Sequence, residues 1–311
     1  MPSSDRRSYT TASTSDRHAV LVSAAFGPTP GLHPLPAAHG PEQGWLRAVA
    51  LGGQGRYAAA RAELARVRGS GGVWSSSAAS TEASLLRQLG GHRLASASDG
   101  RALAEASALR RGSERVLGVW CDAATGLAAD ALGRGRLPVC GYLLDRCASA
   151  LDAAEAEAGE RAFVRQRIRL AWVGAESALA AGDFTRARSH ADRAVELADG
   201  FGSIRHGVKS DLVRAASLTG LPDRGPATTL AADVLARAEE HGLIPLQWAA
   251  AMLLVGLGAG DDAGRVRDVD AGRVRDVDAG RVRDVDAGRV RDVCATVIGR
   301  RGGRFVTPSA R

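Results

Sequence analysis

Between Trp45 and about Gly260 the apolar positions recur at intervals of three and four residues, and short glycine-containing breaks interrupt them every few turns. That rhythm predicts amphipathic helices joined by tight turns. Four of the breaks share a layout: a glycine, a variable pair ending in a larger side chain, and a small residue five places after the glycine. They are Gly55-Arg56-Tyr57 with Ala60, Gly90-Gly91-His92 with Ala95, Gly135-Arg136-Leu137 with Cys140, and Gly182-Asp183-Phe184 with Ala187. A glycine in the left-handed conformation ends one helix, the residue two places on covers the seam, and the small residue lets the next helix approach closely. Seven residues further on, Val67, Ala102, Cys147 and Ala194 return to the same helix face. Weaker versions begin at Gly220, with Gly225 as the small residue, and at Gly260, where Arg265 breaks the rule. The glycines recur every 35 to 47 residues.

The segment carrying Ala175, Ala178, the Gly182-Asp183-Phe184 turn, Ala187 and Ala194 resembles a tetratricopeptide repeat, and residues 41–261 are read as degenerate repeats of that type. The leading tryptophan followed by Leu-Gly and the closing proline of the family are largely missing, and the spacing exceeds its period of about 34 residues. The resemblance implies an all-α fold, an antiparallel solenoid of about five or six helix pairs, in which the first helix of each pair lines a concave binding surface.

Two flanking segments follow other rules. Residues 1–40 are rich in Ser, Thr, Pro and Gly and predict a disordered leader, because they offer little apolar surface against the entropy of ordering. Residues 262–293 are four identical copies of DAGRVRDV. In a helix, an eight-residue period rotates the valines by roughly 80° per copy, so no stripe persists along the array. Strand alternation fails too, since Val266 and Val269 have opposite parity. Only the last copy runs into a helical face, at Val290, Val293, Cys294, Val297 and Ile298. The array reads as an expansion within the last helix region, with residues 294–311 forming the end of a closing helix and a basic tail.

Composition narrows the function classes. The chain has 311 residues, 45% hydrophobic but only 4% aromatic, so its core is built from Ala, Leu and Val. Lys209 is the only lysine and there is no asparagine, a bias typical of high-G+C bacterial coding. The net charge of +7 permits nucleic-acid contact, yet acidic residues are interspersed almost throughout. The apolar runs at Ala19 to Phe26 and from Trp248 are shorter than the ~20 residues of a spanning helix, and four cysteines without a disulfide-framework spacing point to a cytoplasmic protein with no membrane contact.

No catalytic constellation, cofactor motif or metal site emerges. Cys140 and Cys147 stand where Ala187 and Ala194 stand in the best repeat, so they read as packing residues. The Asp268 to Gly272 stretch begins like an acidic calcium loop but lacks the closing bidentate Glu. Gly52 to Tyr57 lies between helices and not after a strand, against a dinucleotide loop, and no P-loop or nucleophile elbow is present. The chain reads as non-enzymatic.

The candidate partner groove is therefore the working surface. On the helix before Gly182, Arg165, Arg169, Trp172 and Glu176 form one strip three or four residues apart. Trp45, Arg87, Asp122 and Arg214 occupy corresponding positions on other first helices. A tryptophan beside arginines suits the side chain and carboxylate of a protein or peptide partner. The chaperone-tail clamp of some tetratricopeptide proteins uses Lys and Asn, which this groove is expected to lack. A nucleic-acid partner is the competing, weaker reading, carried by Arg161, Arg165, Arg167 and Arg169 and by Arg300, Arg301 and Arg304 beside Phe305.

Overall fold

A computed structural model describes residues 14–109, 113–158, 162–261, 273–278 and 281–306. Among them are thirteen α-helices: α1 (Thr14–Phe26), α2 (Gly40–Gly53), α3 (Tyr57–Arg68), α4 (Gly72–Arg87), α5 (His92–Ala108), α6 (Glu114–Leu132), α7 (Leu137–Ala158), α8 (Val164–Ala180), α9 (Phe184–Phe201), α10 (Ile204–Ser217), α11 (Gly225–Glu240), α12 (Ile244–Asp261) and α13 (Ala287–Arg300). A short 3-10 turn lies at Leu218–Gly220, and β1 (Arg273–Asp278) pairs with β2 (Arg281–Asp286).

From α2 onward neighbouring helices pack in six consecutive pairs, as an α-solenoid does. The even-numbered helices from α2 to α12 also touch one another in sequence and form an inner row. The turn pattern explains the pairing. Gly55, Gly90, Gly135 and Gly182 have φ of +71°, +81°, +71° and +76°, which closes each helix sharply without a Cβ penalty. The small residues that follow, Ala60, Ala95, Cys140 and Ala187, are fully buried, as are Ala102, Cys147 and Ala194 one heptad later, with Val67 nearly so. At the Gly-Asp-Phe turn the Asp183 carboxylate accepts a hydrogen bond from the Arg186 N–H at 2.9 Å and caps α9. The two weaker echoes differ. Gly220 ends the 3-10 turn and stands so close to the Phe184 ring that a Cβ would lie 2.2 Å from it, and Gly260 lies inside α12.

Two further expectations are corrected. Residues 14–39, read as disordered, form α1 and a docked loop; residues 1–13 lie outside the described residues. Leu21, Ala24 and Ala25, at i, i+3 and i+4, bury against Leu46, Leu51 and their neighbours, and the Gln54 amide donates to the Pro30 and Leu32 carbonyls. A short amphipathic face with a ready partner thus outweighs a Pro-rich composition. The basic tail is docked as far as Val306: Ala58 N–H donates to the Arg301 carbonyl, Arg61 to the Gly302 carbonyl, and Val306 N–H to the Leu89 carbonyl, all at 2.8 to 2.9 Å. Phe305 packs on Trp248 with ring centroids 4.8 Å apart, and Ile298 joins the Tyr57 and Leu64 cluster, so the last helix pair returns to the first.

The second correction concerns the octads. Only the last copy enters a helix, where Asp286 caps α13 through the Arg289 N–H. Copies in the middle form the antiparallel pair β1–β2, although their valines do not alternate. The register gives the reason: it sets Val274 against Val285 and Val277 against Val282, and every remaining pair joins an Arg position to an Asp position. The unit RVRDVD is its own complement when reversed, and matched cross-strand positions favour pairing. On α13 the buried face is Ala287, Cys294 and Ile298, with Val290 packed beside it, while Val293 is exposed. Residues 262–272, including the calcium-like stretch from Asp268 to Gly272, lie outside the described residues.

Candidate functional site

The interior enclosed by the inner row gathers most of the predicted groove residues. Arg165 and Arg169 lie one turn apart on α8 and donate to different oxygens of Asp122 on α6, which is almost fully buried. Burial pushes the Asp122 carboxyl up, but the two guanidinium groups hold it below its ordinary value. Trp172 is half-buried; its indole N–H donates to Ser210 Oγ at 2.9 Å, and its ring stacks on His206 at 5.4 Å between centroids. Glu176 accepts from Lys209 Nζ at 2.8 Å. Trp45 donates to Thr81 Oγ1 at 2.9 Å and packs between Phe26 and Trp74.

Arg87 serves a second cluster. Its guanidinium donates to Asp130 at 2.8 Å and to Asp99, a carboxylate with no exposed surface. Burial drives the Asp99 carboxyl up to about 7, Arg87 opposes this, and the neighbouring Asp130 charge adds to it. Room for Asp99 exists because Gly126 has no side chain; a Cβ there would lie 2.2 Å from Oδ2. Arg214 is not part of the interior. It pairs with Asp192 at 3.1 Å, and both side chains are half-exposed.

Two cavities result. A 120 Å³ cleft is lined by Phe26, Trp45, Asp122, Arg165, Arg205 and His206. It adjoins a 480 Å³ chamber walled by Arg87, Lys209, Trp248, Leu212, Leu246 and Ile298, and Arg169, Trp172 and Arg205 line both. Lys209 therefore stands in the groove that was expected to lack lysine. Sequence reasoning also missed Arg205 and His206, although Arg205 and Lys209 repeat on α10 the four-residue spacing of Arg165 and Arg169 on α8. Phe26 carried no such signal, because it fell in the presumed leader. Gly53 lets Arg205 lie against α2: a Cβ there would meet Arg205 Cδ at 2.9 Å.

Arg205 differs from the other interior cations. Its Nη2 donates to the Ala25 carbonyl at 3.2 Å, its Nε has no hydrogen-bond partner, and no carboxylate pairs with it among the described residues. Burial lowers its pKa to about 10, with Arg165 and Arg169 adding to the shift. Burial, then Arg205, Arg165 and Arg169, also drive His206 well below its ordinary value, so its imidazole is neutral near pH 7 while Nδ1 contacts Ser203 Oγ at 2.9 Å.

The arginines proposed for nucleic acid are partly spent within the fold. Arg167 donates to Asp152 and Glu155, and Arg301 to the Gln54 carbonyl at 2.8 Å. Arg161 lies outside the described residues. All four cysteines are buried and free, and Cys147 bonds weakly to the Cys121 carbonyl and to Thr125. Among the described residues, no group of three or more His, Cys, Asp or Glu is placed to hold a metal ion, and no helix is long and apolar enough to cross a membrane.

These features define the class: an all-α protein of paired helices with a charged and aromatic interior. No protein-family model matches the chain, and no curated protein matches it. Among solved structures it is similar to the crystal structure of BtubC (BKLC) from P. vanneervenii, with 14% identity over 88% of this chain and 97% of that one and a TM-score of 0.42. The assignment of fold rests on the helix pairing alone.

Proposed function

We propose that the protein is a cytoplasmic, tetratricopeptide-like scaffold without catalytic activity, which takes up a segment of a protein or peptide partner at its inner face. The observation that carries this reading is the 480 Å³ chamber on the inner row, whose lining combines Trp172, Trp248, Leu212 and Leu246 with Arg87, Arg169, Arg205 and Lys209. Chambers of a few hundred Å³ with an apolar wall and a few fixed polar groups are where proteins hold ligands. The free cysteines fit a reducing compartment.

Affinity capture from host lysate after nuclease treatment tests the reading, comparing the wild type with an Arg169→Glu/Trp172→Ala variant checked for folding by circular dichroism. The expected result is a protein retained by the wild type and lost from the variant. Equal capture by both refutes the inner-face reading. Capture abolished by nuclease, with steep loss in salt, would instead place the function on the arginine-rich exterior.

A further inference from the structure

The four cations lining the 480 Å³ chamber are not equivalent. Arg87 is matched by Asp99 and Asp130, Arg169 by Asp122, and Lys209 by Glu176. Arg205 has no such carboxylate among the described residues: its guanidinium donates to the Ala25 carbonyl and lies over the Phe26 ring at 6.0 Å from the centroid. His206 beside it is neutral and supplies no compensation. A half-buried cation without a counter-charge carries a cost to the fold, and functional sites are where such local departures are expected.

We infer that Arg205 is the subsite for the anionic group of a bound organic acid, with the apolar body of the same ligand lying along Trp172, Leu212, Leu246 and Trp248. The surrounding side chains suit this chemistry. A guanidinium presents a planar fork that suits a carboxylate, and Arg205 lines both cavities. Arg165 and Arg169 share the single Asp122 carboxylate, so this corner of the interior holds three guanidinium groups against one carboxylate. The volume admits only a few residues' worth of ligand, so the occupant is either a small free acid or the carboxyl end of a peptide chain. The site stands whether or not a protein partner enters the groove.

The test uses the full chain and paired probes: 3-phenylpropionate against 3-phenylpropanamide, and the tripeptide Ala-Leu-Phe as free acid against its amide. Inorganic phosphate is the fifth probe, with ionic strength held constant by chloride. Thermal melting and tryptophan fluorescence are both recorded, because bound ligand raises the melting temperature with the logarithm of its concentration and Trp172 and Trp248 line the chamber. The expected result is a rise in melting temperature and a fluorescence change with at least one acid and with neither amide. Both responses should be lost in Arg205→Gln, retained in part in Arg205→Lys, and unchanged in Arg214→Gln, whose guanidinium lies outside the chamber. A response confined to the propionate assigns the site to a free acid, and one confined to the tripeptide assigns it to a chain end. Equal responses to acid and amide, persistence in Arg205→Gln, a response to phosphate as large as to the acids, or no response to any acid would overturn the inference. Arg205→Gln should also melt higher than the wild type in the absence of probe, which keeps the test readable if Arg205→Lys folds poorly.

Discussion

Replacing Asp122 by Asn probes the interior charge arrangement most directly. Asp122 is almost fully buried and accepts from both Arg165 and Arg169. The substitution keeps the shape and leaves two guanidinium groups without a carboxylate. Removing one partner of a buried ion pair costs roughly 3–5 kcal/mol, most of it from the stranded charge. Unfolding entropy of ~2.1 cal/mol/K per residue makes about 0.65 kcal/mol/K for a chain of this length, so the melting temperature should fall by about 5–8 °C. Because the folded carboxyl titrates below its unfolded value, its contribution is fully present above about pH 4 and disappears as pH falls through the folded pKa. The gap between wild type and Asp122→Asn should therefore close in acid. Adding Arg205→Met to Asp122→Asn removes a repelling neighbour and should restore about 1–2 kcal/mol, a coupling expected only if these groups share one desolvated space. Scanning calorimetry from pH 3 to 8 decides the matter. A loss below about 1 °C at pH 7, or no coupling in the double variant, means the cluster is solvated like a surface pair and the argument for a closed interior fails.

Asp99 should behave in the opposite sense. With its pKa raised to about 7, the folded state holds a proton that the unfolded state has lost, so stability falls as pH rises from about 4 to 7, by at most about 1.4 kcal/mol per unit, and then levels. Asp99→Asn should flatten that slope in calorimetric pH profiles; an unchanged slope removes Asp99 as its source. Gly126→Ala, favourable by about 1 kcal/mol in an ordinary helix, should instead destabilise, since the new Cβ strikes Asp99 Oδ2; a higher melting temperature would contradict the packing described. Deleting residues 262–285 keeps Asp286 as the cap of α13 and should move the melting temperature by less than about 2 °C, within the range of surface changes. A collapse on deletion would show that the hairpin supports the last helix pair.

Much of the architecture was legible in the order of residues. The four turn glycines, with the small residues five and twelve places later, marked where helices end and which faces touch, because left-handed backbone and close helix approach are local requirements that only a few side chains meet. Residues on one helix were likewise placed together, as Arg165, Arg169, Trp172 and Glu176 show. What tertiary structure alone decided is how the two ends meet. Leu21, Ala24 and Ala25 are an unremarkable run until α2 offers them a surface, and Phe305 is a tail residue until Trp248 receives it. The pairing of Asp122 with two arginines 43 and 47 positions away depends on the approach of α6 to α8. Arg205 has no local signature of being unmatched, since a charge becomes costly only when distant elements remove water around it and none of the described residues brings it a carboxylate.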